Sequence, residues 1–185
     1  MSYILWMVRG KQGIVPHCVK SERITQIQNI FNYKIFIETG TYMGDMIYAQ
    51  KKNFSLLYTI ELSSNLSGNA KQRFERYRNI HVYNGDSGVL LTKIVRKIKE
   101  PSIFWLDAHY SGGVTKRNNV DTPIVTELKA ILKLSSSDHI ILIDDARLFT
   151  GKNDYPTIQT LISLVKKYRS SSHIYIKYDI IHIYL

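Results

Sequence analysis

Short apolar runs alternate with longer amphipathic stretches along most of the chain, and this alternation restricts the folds that the chain can adopt. The runs are rich in β-branched and aromatic residues and nearly continuous in hydrophobicity, which is typical of strands buried on both faces of a parallel sheet. Seven strands are predicted in this way, at Lys34–Glu38, Leu57–Glu61, Ile80–Tyr83, Ser102–Asp107, His139–Asp144, His173–Lys177 and Ile180–Tyr184.

Apolar residues between these runs recur every three or four positions, which predicts helices with one apolar face. These helices lie over Leu66–Tyr77, Leu90–Ile98, Ile124–Leu132 and Ile158–Val165, and another from Pro16 to Phe31 precedes the first strand. Thr122 is predicted as an N-cap with Pro123 at the first helical position, and Pro156 is placed similarly before the last helix.

The alternation of strands and helices predicts βαβ units with right-handed crossovers, and hence a doubly wound α/β sheet with helices on both faces. The last two runs are too close together for a helical crossover, so the mostly parallel seven-stranded sheet should be closed by an antiparallel last strand. The length of 185 residues suits one domain, in which residues 1–33 form an N-terminal segment and helix and residues 34–185 form the core.

The chain is basic, but its charge is not clustered. Lys and Arg total 25 against 15 Asp and Glu, a net charge of +10, and the basic residues are spread from Arg9 to Lys177. The charge is therefore either background composition or the mark of an acidic partner. A single cysteine, Cys18, excludes a disulfide framework, and no apolar run is long enough for a membrane span. We expect a reduced, soluble, cytoplasmic protein without a membrane partner.

Six of the 15 acidic residues fall at the predicted carboxyl ends of five successive strands. Ligands of open α/β sheets bind in the crevice outside those ends. Carboxylates gathered there repel one another unless a ligand or metal satisfies them, whereas chance placement in polar loops is the alternative. The six residues are Glu38, Glu61, Asp86, Asp107, Asp144 and Asp145.

The turn after the first strand has the pattern acid-x-Gly-x-x-x-Gly, from Glu38 through Gly40 to Gly44. The first glycine would allow a sharp turn close to a ligand, and the second would let the following helix pack against the strand. The pattern is neither the three-glycine dinucleotide fingerprint nor a P-loop. It favours a cationic or neutral ligand over a diphosphate, while an ordinary tight turn is the structural alternative.

The acids after the second and third strands suit a nucleoside. Glu61 can accept two hydrogen bonds from a ribose diol, and Asp86 can accept from an adenine amino group. Each has a structural alternative, because Glu61 precedes a helix start at Ser63 and Asp86 can serve as a plain N-cap.

With these acids, the turn and the closing strand, the chain resembles the class I S-adenosylmethionine (SAM)-dependent methyltransferases, which have a Rossmann-like fold. The segments Phe104–Gly113 and Ile143–Arg147 look like a bacterial subgroup of small methyltransferase-like proteins, and the acids more distantly resemble metal-dependent O-methyltransferases of the macrocin and catechol type. The resemblance implies that SAM is bound by Glu38, Thr39, Gly40, Thr41, Gly44, Glu61, Asp86 and Asp107.

The distant resemblance also implies a metal site at Asp107, Asp144 and Asp145. Three carboxylates with water suit Mg²⁺, which would lower the pKa of an acceptor hydroxyl. Asp144 and Asp145 can share an ion only if their strand has already ended. Otherwise Asp145 pairs with Arg147, and Asp107 binds the cofactor.

His109 and Asp107 are the candidate catalytic residues. His109 suits a general base because the ordinary pKa of histidine lies near neutrality, whereas a structural hydrogen bond is the alternative. The segment Tyr110–Asp121 is either a lid or a surface loop without a role, and its cations Lys116 and Arg117 would favour an anionic substrate.

The sequence thus predicts a SAM-dependent methyltransferase that acts on a hydroxyl of a small-molecule or sugar-like substrate, with or without Mg²⁺. One alternative is a nucleic-acid (RNA) methyltransferase, which the positive net charge and the 13 tyrosines favour. The other is a non-enzymatic α/β binding module. Nothing in the sequence indicates the oligomeric state.

Overall fold

The computed structural model describes residues 3–10, 13–107, 122–134 and 138–185, which build a seven-stranded sheet covered by helices on both faces. The strand bounds differ from the predicted ones by at most one residue at either end. The strands are β1 (Ile35–Thr39), β2 (Leu56–Glu61), β3 (Ile80–Asn84), β4 (Ser102–Leu106), β5 (Ile140–Ile143), β6 (His173–Lys177) and β7 (Ile180–Tyr184).

The order of the strands in the sheet is β3-β2-β1-β4-β5-β7-β6. Strands β1 to β5 pair in parallel, and β7 pairs antiparallel with both β5 and β6. Tyr178 and Asp179 join β6 to β7 with φ angles of 55° and 58°, which is the left-handed backbone that a two-residue hairpin needs. The predicted doubly wound sheet with an antiparallel last strand is confirmed.

Seven α-helices surround the sheet within the described residues. They are α1 (Tyr3–Val8), α2 (His17–Phe31), α3 (Asp45–Gln50), α4 (Ser64–Phe74), α5 (Ser87–Val95), α6 (Ile124–Leu134) and α7 (Ile158–Tyr168). Helices α2, α3 and α4 pack on the face that includes Phe36, and α5, α6 and α7 pack on the face that includes Ile37. Successive residues of β1 therefore face opposite helix layers, so the strand is buried on both faces of the sheet.

Two helix starts test the predicted caps. The hydroxyl of Thr122 accepts a hydrogen bond from the Ile124 N–H at 3.3 Å, as predicted for the cap, but α6 begins at Ile124, so Pro123 directly precedes the helix. At α7 the cap is Thr157, whose hydroxyl accepts from the Thr160 N–H at 3.1 Å, so Pro156 lies outside the helix rather than at its first position. The reason is chemical, since only the threonine offers an acceptor for a free N–H at the helix start.

Backbone hydrogen bonds continue just beyond the strands and align their carboxyl ends. The Gly40 N–H donates to Ile60 O at 2.9 Å, the Asp107 N–H to Thr39 O at 3.1 Å, and the Asp144 N–H to Leu106 O at 3.0 Å. The residues that follow neighbouring strands are thereby held in one row. No helix among the described residues has the length and apolar character needed to cross a membrane.

Candidate functional site

The six acids lie at the carboxyl edge of the sheet, as the alternation of strands and helices predicts. Glu61 is the last residue of β2, Asp107 follows β4 directly, and Asp86 lies two residues past β3. Asp144 and Asp145 follow β5. The parallel pairing of β1 to β5 gives all these strand ends the same direction, so their side chains share one edge.

The turn after β1 is held in left-handed backbone at three positions. Gly40, Tyr42 and Gly44 have φ angles of 82°, 48° and 80°, and only the two glycines are suited to this region. A Cβ at Gly44 would lie 2.8 Å from Cε2 of Phe74. The close packing predicted at this glycine is therefore made with α4, not with the strand.

Glu38 lies beneath this turn and is only 1% exposed. Its carboxylate accepts a 2.5 Å hydrogen bond from the Thr59 hydroxyl, which lies 2.5 Å from the Thr41 hydroxyl. Burial raises the pKa of Glu38 well above its ordinary value, and the charges of Asp107 and Glu61 add to that effect, while the Thr59 hydrogen bond opposes it. A chain of polar side chains thus links the turn to β2.

Glu61 is buried, and both of its oxygens accept backbone hydrogen bonds. The Tyr42 N–H donates to one oxygen at 2.9 Å, and the Ser63 N–H donates to the other at 2.8 Å. A carboxylate has about four lone-pair positions, so further hydrogen bonds from a ligand remain feasible. Asp86 caps α5 by accepting from the Gly88 N–H at 2.8 Å, which matches its structural alternative.

Asp107, Asp144 and Asp145 come together as predicted, with one oxygen of each within 4.8 Å of the others. They can do so because β5 ends at Ile143, which frees the two neighbouring aspartates from strand alternation. Asp145 also pairs with Arg147 at 2.7 Å, so the pairing considered as an alternative is present in the same cluster.

Lys20 enters this cluster from α2, a contact that the sequence interpretation missed. Its Nζ lies 2.6 Å from Asp144 Oδ2 and 3.4 Å from Asp145 Oδ1, and Lys20 is 8% exposed. A signal was available, because Lys20 precedes Ile24 and Ile27 at helical spacing on the buried face of α2. A charged residue on such a face needs a partner of opposite charge.

The three carboxylates have the donor chemistry of a Mg²⁺ site, but an ammonium already contacts two of them. Burial and, next in size, the charge of Asp107 raise the pKa of Asp144 above its ordinary value, and Lys20 opposes both effects. Burial alone would lower the pKa of Lys20, but the attraction of Asp144 and Asp145 outweighs it and the pKa is raised. The residues present therefore do not fit a divalent ion while Lys20 stays in place.

Two further titratable residues near this edge were not assigned to the site from the sequence. Glu127 of α6 is 1% exposed, and neither carboxyl oxygen makes a hydrogen bond of ordinary geometry within the described part of the chain. Burial raises its pKa to about 7, and the nearby hydroxyls of Ser87 and Thr39 oppose the shift. An acid within the apolar stripe of Ile124 and Leu128 was the signal for it.

His17 starts α2, one helical turn before Lys20. Burial lowers the pKa of His17, and the charges of Asp45 and Asp107 oppose that shift, which places the imidazole within electrostatic reach of the edge. His109 and the segment Tyr110–Asp121 lie outside the described residues.

No protein-family model and no curated protein matches the chain. Solved structures do. The O-methyltransferase TomG from Streptomyces achromogenes, in complex with SAM, matches with a TM-score of 0.62 and 14% identity over 93% of this chain and 81% of its own. An O-methyltransferase from Bacillus cereus in complex with SAH gives 0.61 and 15% identity, over 98% and 87%. A putative caffeoyl-CoA O-methyltransferase from Staphylococcus aureus gives 0.59 and 14%, over 100% and 92%.

Structural matches at sequence identities this low support a shared fold alone, and their coverage extends that fold over nearly the whole chain. The strand order, the reversed β7 and these matches agree. The chain therefore has the Rossmann-like fold of the class I SAM-dependent methyltransferases.

Proposed function

We propose that the chain is a SAM-dependent methyltransferase that methylates a hydroxyl oxygen of a small-molecule or sugar-like acceptor. The observation that supports the proposal is the hydrogen bond from the Tyr42 N–H to Glu61, which joins the end of β2 to the turn after β1. Glu38 and Asp107 lie at the same edge of the sheet. Two of the similar structures are O-methyltransferases in complex with SAM or SAH, which supports the same assignment.

The cofactor would supply an electrophilic methyl group on a positively charged sulfur, and the acidic edge suits that charge. In the proposal, the turn with Thr39, Gly40, Thr41 and Gly44 holds the methionine part. The remaining lone pairs of Glu61 accept from the ribose hydroxyls, and Asp86 accepts from the adenine amino group. The chain's main contribution to rate is positioning, because methyl transfer needs the acceptor oxygen in line with the methyl carbon and sulfur.

The acceptor hydroxyl must lose its proton, and His109 is proposed to take it. Among the histidines that the structure describes, His17 lies within electrostatic reach of Asp107, so His17→Gln serves as the comparison for His109→Gln. If His109 is the base, His109→Gln lowers kcat strongly, whereas His17→Gln changes it little. The reverse order would transfer the role to His17.

A Mg²⁺-assisted version of the reaction would place the ion at Asp107, Asp144 and Asp145. The position of Lys20 argues against this version. The proposal that the acceptor is anionic depends on Lys116 and Arg117, which lie outside the described residues.

Calorimetric titration with SAM and SAH tests the proposal, with Glu61→Ala as the variant and Glu100→Ala as a control on the exposed surface. We expect micromolar affinity for the wild type and the control, and affinity weaker by at least about tenfold for Glu61→Ala. Equal affinity in all three proteins would remove Glu61 from the site.

Two other outcomes would overturn the proposed activity itself. Absence of SAM and SAH binding would favour a non-enzymatic binding module. Methylation of labelled RNA, with binding that weakens steeply as salt rises, would favour a nucleic-acid methyltransferase.

A further inference from the structure

We propose that Lys20 is the resident cation of the aspartate cluster formed by Asp107, Asp144 and Asp145, and that it takes the place of a divalent metal there. The inference concerns the same edge as the proposed methyl transfer, and its consequence for the reaction rests on that proposal. The cation site itself can be tested without cofactor or acceptor.

The contacts of Asp144 leave little room for a metal. Lys20 Nζ lies 2.6 Å from Oδ2, and the Asp145 N–H donates to Oδ1 at 2.8 Å. A metal ligated by Oδ2 would sit about 2.1 Å from that oxygen, within a few ångströms of the ammonium. Two cations so close, and almost out of contact with water, repel strongly.

The charges of the cluster point the same way. Three carboxylates attract cations, but Lys20 contacts two of them and the Arg147 guanidinium pairs with Asp145 at 2.7 Å. Arg147 also pairs with Asp179 in the β6–β7 turn, which ties it to the sheet. Lys20 and Arg147 thus supply two positive charges that neutralise the carboxylates in place of a metal.

The backbone that carries Lys20 is itself fixed. The Gln50 side-chain amide of α3 donates to the Ser21 carbonyl at 2.9 Å and to the Ser21 hydroxyl at 3.0 Å, next to Lys20 in the chain. The side-chain amide of Asn53 donates to the hydroxyl of Thr25, which lies on α2 with Lys20, at 3.1 Å. Moving the ammonium out of the cluster would therefore require the side chain alone to find another partner for a buried charge.

A consequence for the proposed reaction is that methyl transfer proceeds without a divalent metal. Removal of the acceptor proton then falls to a side chain, since no metal lowers the pKa of the hydroxyl. Lys20 acts as a positioning residue, which keeps Asp144 and Asp145 fixed beside Asp107.

Titration with MnCl₂ by calorimetry, in the absence of SAM, tests the proposal. Lys20→Met removes the ammonium with little change in shape, and Lys34→Met removes an exposed lysine as the control. We expect no Mn²⁺ binding at the cluster to be detected in the wild type or in Lys34→Met. Lys20→Met should bind Mn²⁺ with an affinity at least about tenfold higher than that of the wild type. Adding Asp144→Asn to Lys20→Met should abolish the gain.

Two results would overturn the proposal. One is Mn²⁺ binding by the wild type that Asp144→Asn abolishes, which can be measured even if Lys20→Met does not fold. The other is a folded Lys20→Met variant with no gain in Mn²⁺ affinity. Both are read without SAM, so failure of the cofactor titration would count against the methyltransferase proposal alone.

Discussion

The backbone N–H of Tyr42 donates a 2.9 Å hydrogen bond to the carboxylate of Glu61, so the acid that ends β2 holds the turn that follows β1. Tyr42 has a φ of 48°, a left-handed conformation that costs a non-glycine residue about 1–2 kcal/mol. The hydrogen bond helps to offset that strain. Glu61 thereby shapes the turn even before any ligand binds.

Glu61→Gln should separate the structural role of this carboxylate from its role in binding. The amide keeps one acceptor oxygen, but its nitrogen cannot accept from the second of the two N–H groups of Tyr42 and Ser63. We expect the free energy of unfolding without SAM to fall by about 1–3 kcal/mol, as measured by urea denaturation. Glu100→Gln, on the exposed surface, is the control. An unchanged unfolding free energy would show that these hydrogen bonds do not stabilise the turn.

Gly44→Ala should destabilise the fold through a clash between α3 and α4. The new methyl group would approach the Phe74 ring to 2.8 Å, and a φ of 80° disfavours alanine. We expect a loss of about 2–4 kcal/mol in the free energy of unfolding, from overpacking and backbone strain together. Phe74→Leu should relieve part of that loss in the double variant.

Gly68→Ala is the matched control for this clash. Gly68 is an exposed residue inside α4, and a Cβ there would meet no atom within 4 Å. Alanine should raise the free energy of unfolding by about 0.5–1 kcal/mol because it favours a helix over the unfolded chain. Equal effects of the two substitutions would exclude the clash as the cause.

The gathering of the acids at one edge could be predicted because it follows from local pattern and topology. Each strand is visible in the sequence, and parallel strands must end on the same side. Residues such as Glu61 and Asp107, at or directly after strand ends, therefore meet without any knowledge of side-chain packing. The same reasoning predicted that Asp144 and Asp145 share a site only beyond the end of β5.

The cation of the cluster could not be predicted in the same way. Lys20 and Asp144 are 124 positions apart, and their contact depends on how α2 packs across the sheet. The left-handed backbone of Tyr42 was equally hidden, since nothing about a tyrosine favours that conformation. Both features arise from tertiary contacts that override local preference.

Thr59→Val should weaken the polar chain beneath the turn. Valine has nearly the shape of threonine but cannot donate to the Glu38 carboxylate or accept from Thr41. We expect a loss of about 1–3 kcal/mol in the free energy of unfolding, because Glu38 would lose its buried hydrogen-bond donor. Thr59→Ser keeps the hydroxyl and should lose less than the valine variant. A larger loss for serine would assign the effect to packing of the methyl group.

Glu127 should make the stability of the fold depend on pH. Burial raises its pKa from 4.5 to about 7, so between these values the folded chain keeps a proton that the unfolded chain has released. The stability contributed by the neutral carboxyl is therefore present at low pH and is lost as pH rises from about 4.5 to about 7. The slope for one such group is at most about 1.4 kcal/mol per pH unit.

Glu127→Gln should remove this pH dependence, because the amide has the same shape and stays neutral. We expect the difference in unfolding free energy between variant and wild type to shift in favour of the variant by about 2–3 kcal/mol from pH 5 to pH 8. Urea denaturation at the two pH values measures this shift. Glu22→Gln, which removes an exposed acid on α2, should show a much smaller one. A parallel pH dependence in Glu127→Gln and the wild type would mean that Glu127 is already ionised in the folded chain at pH 5, held by a partner that stabilises its charge.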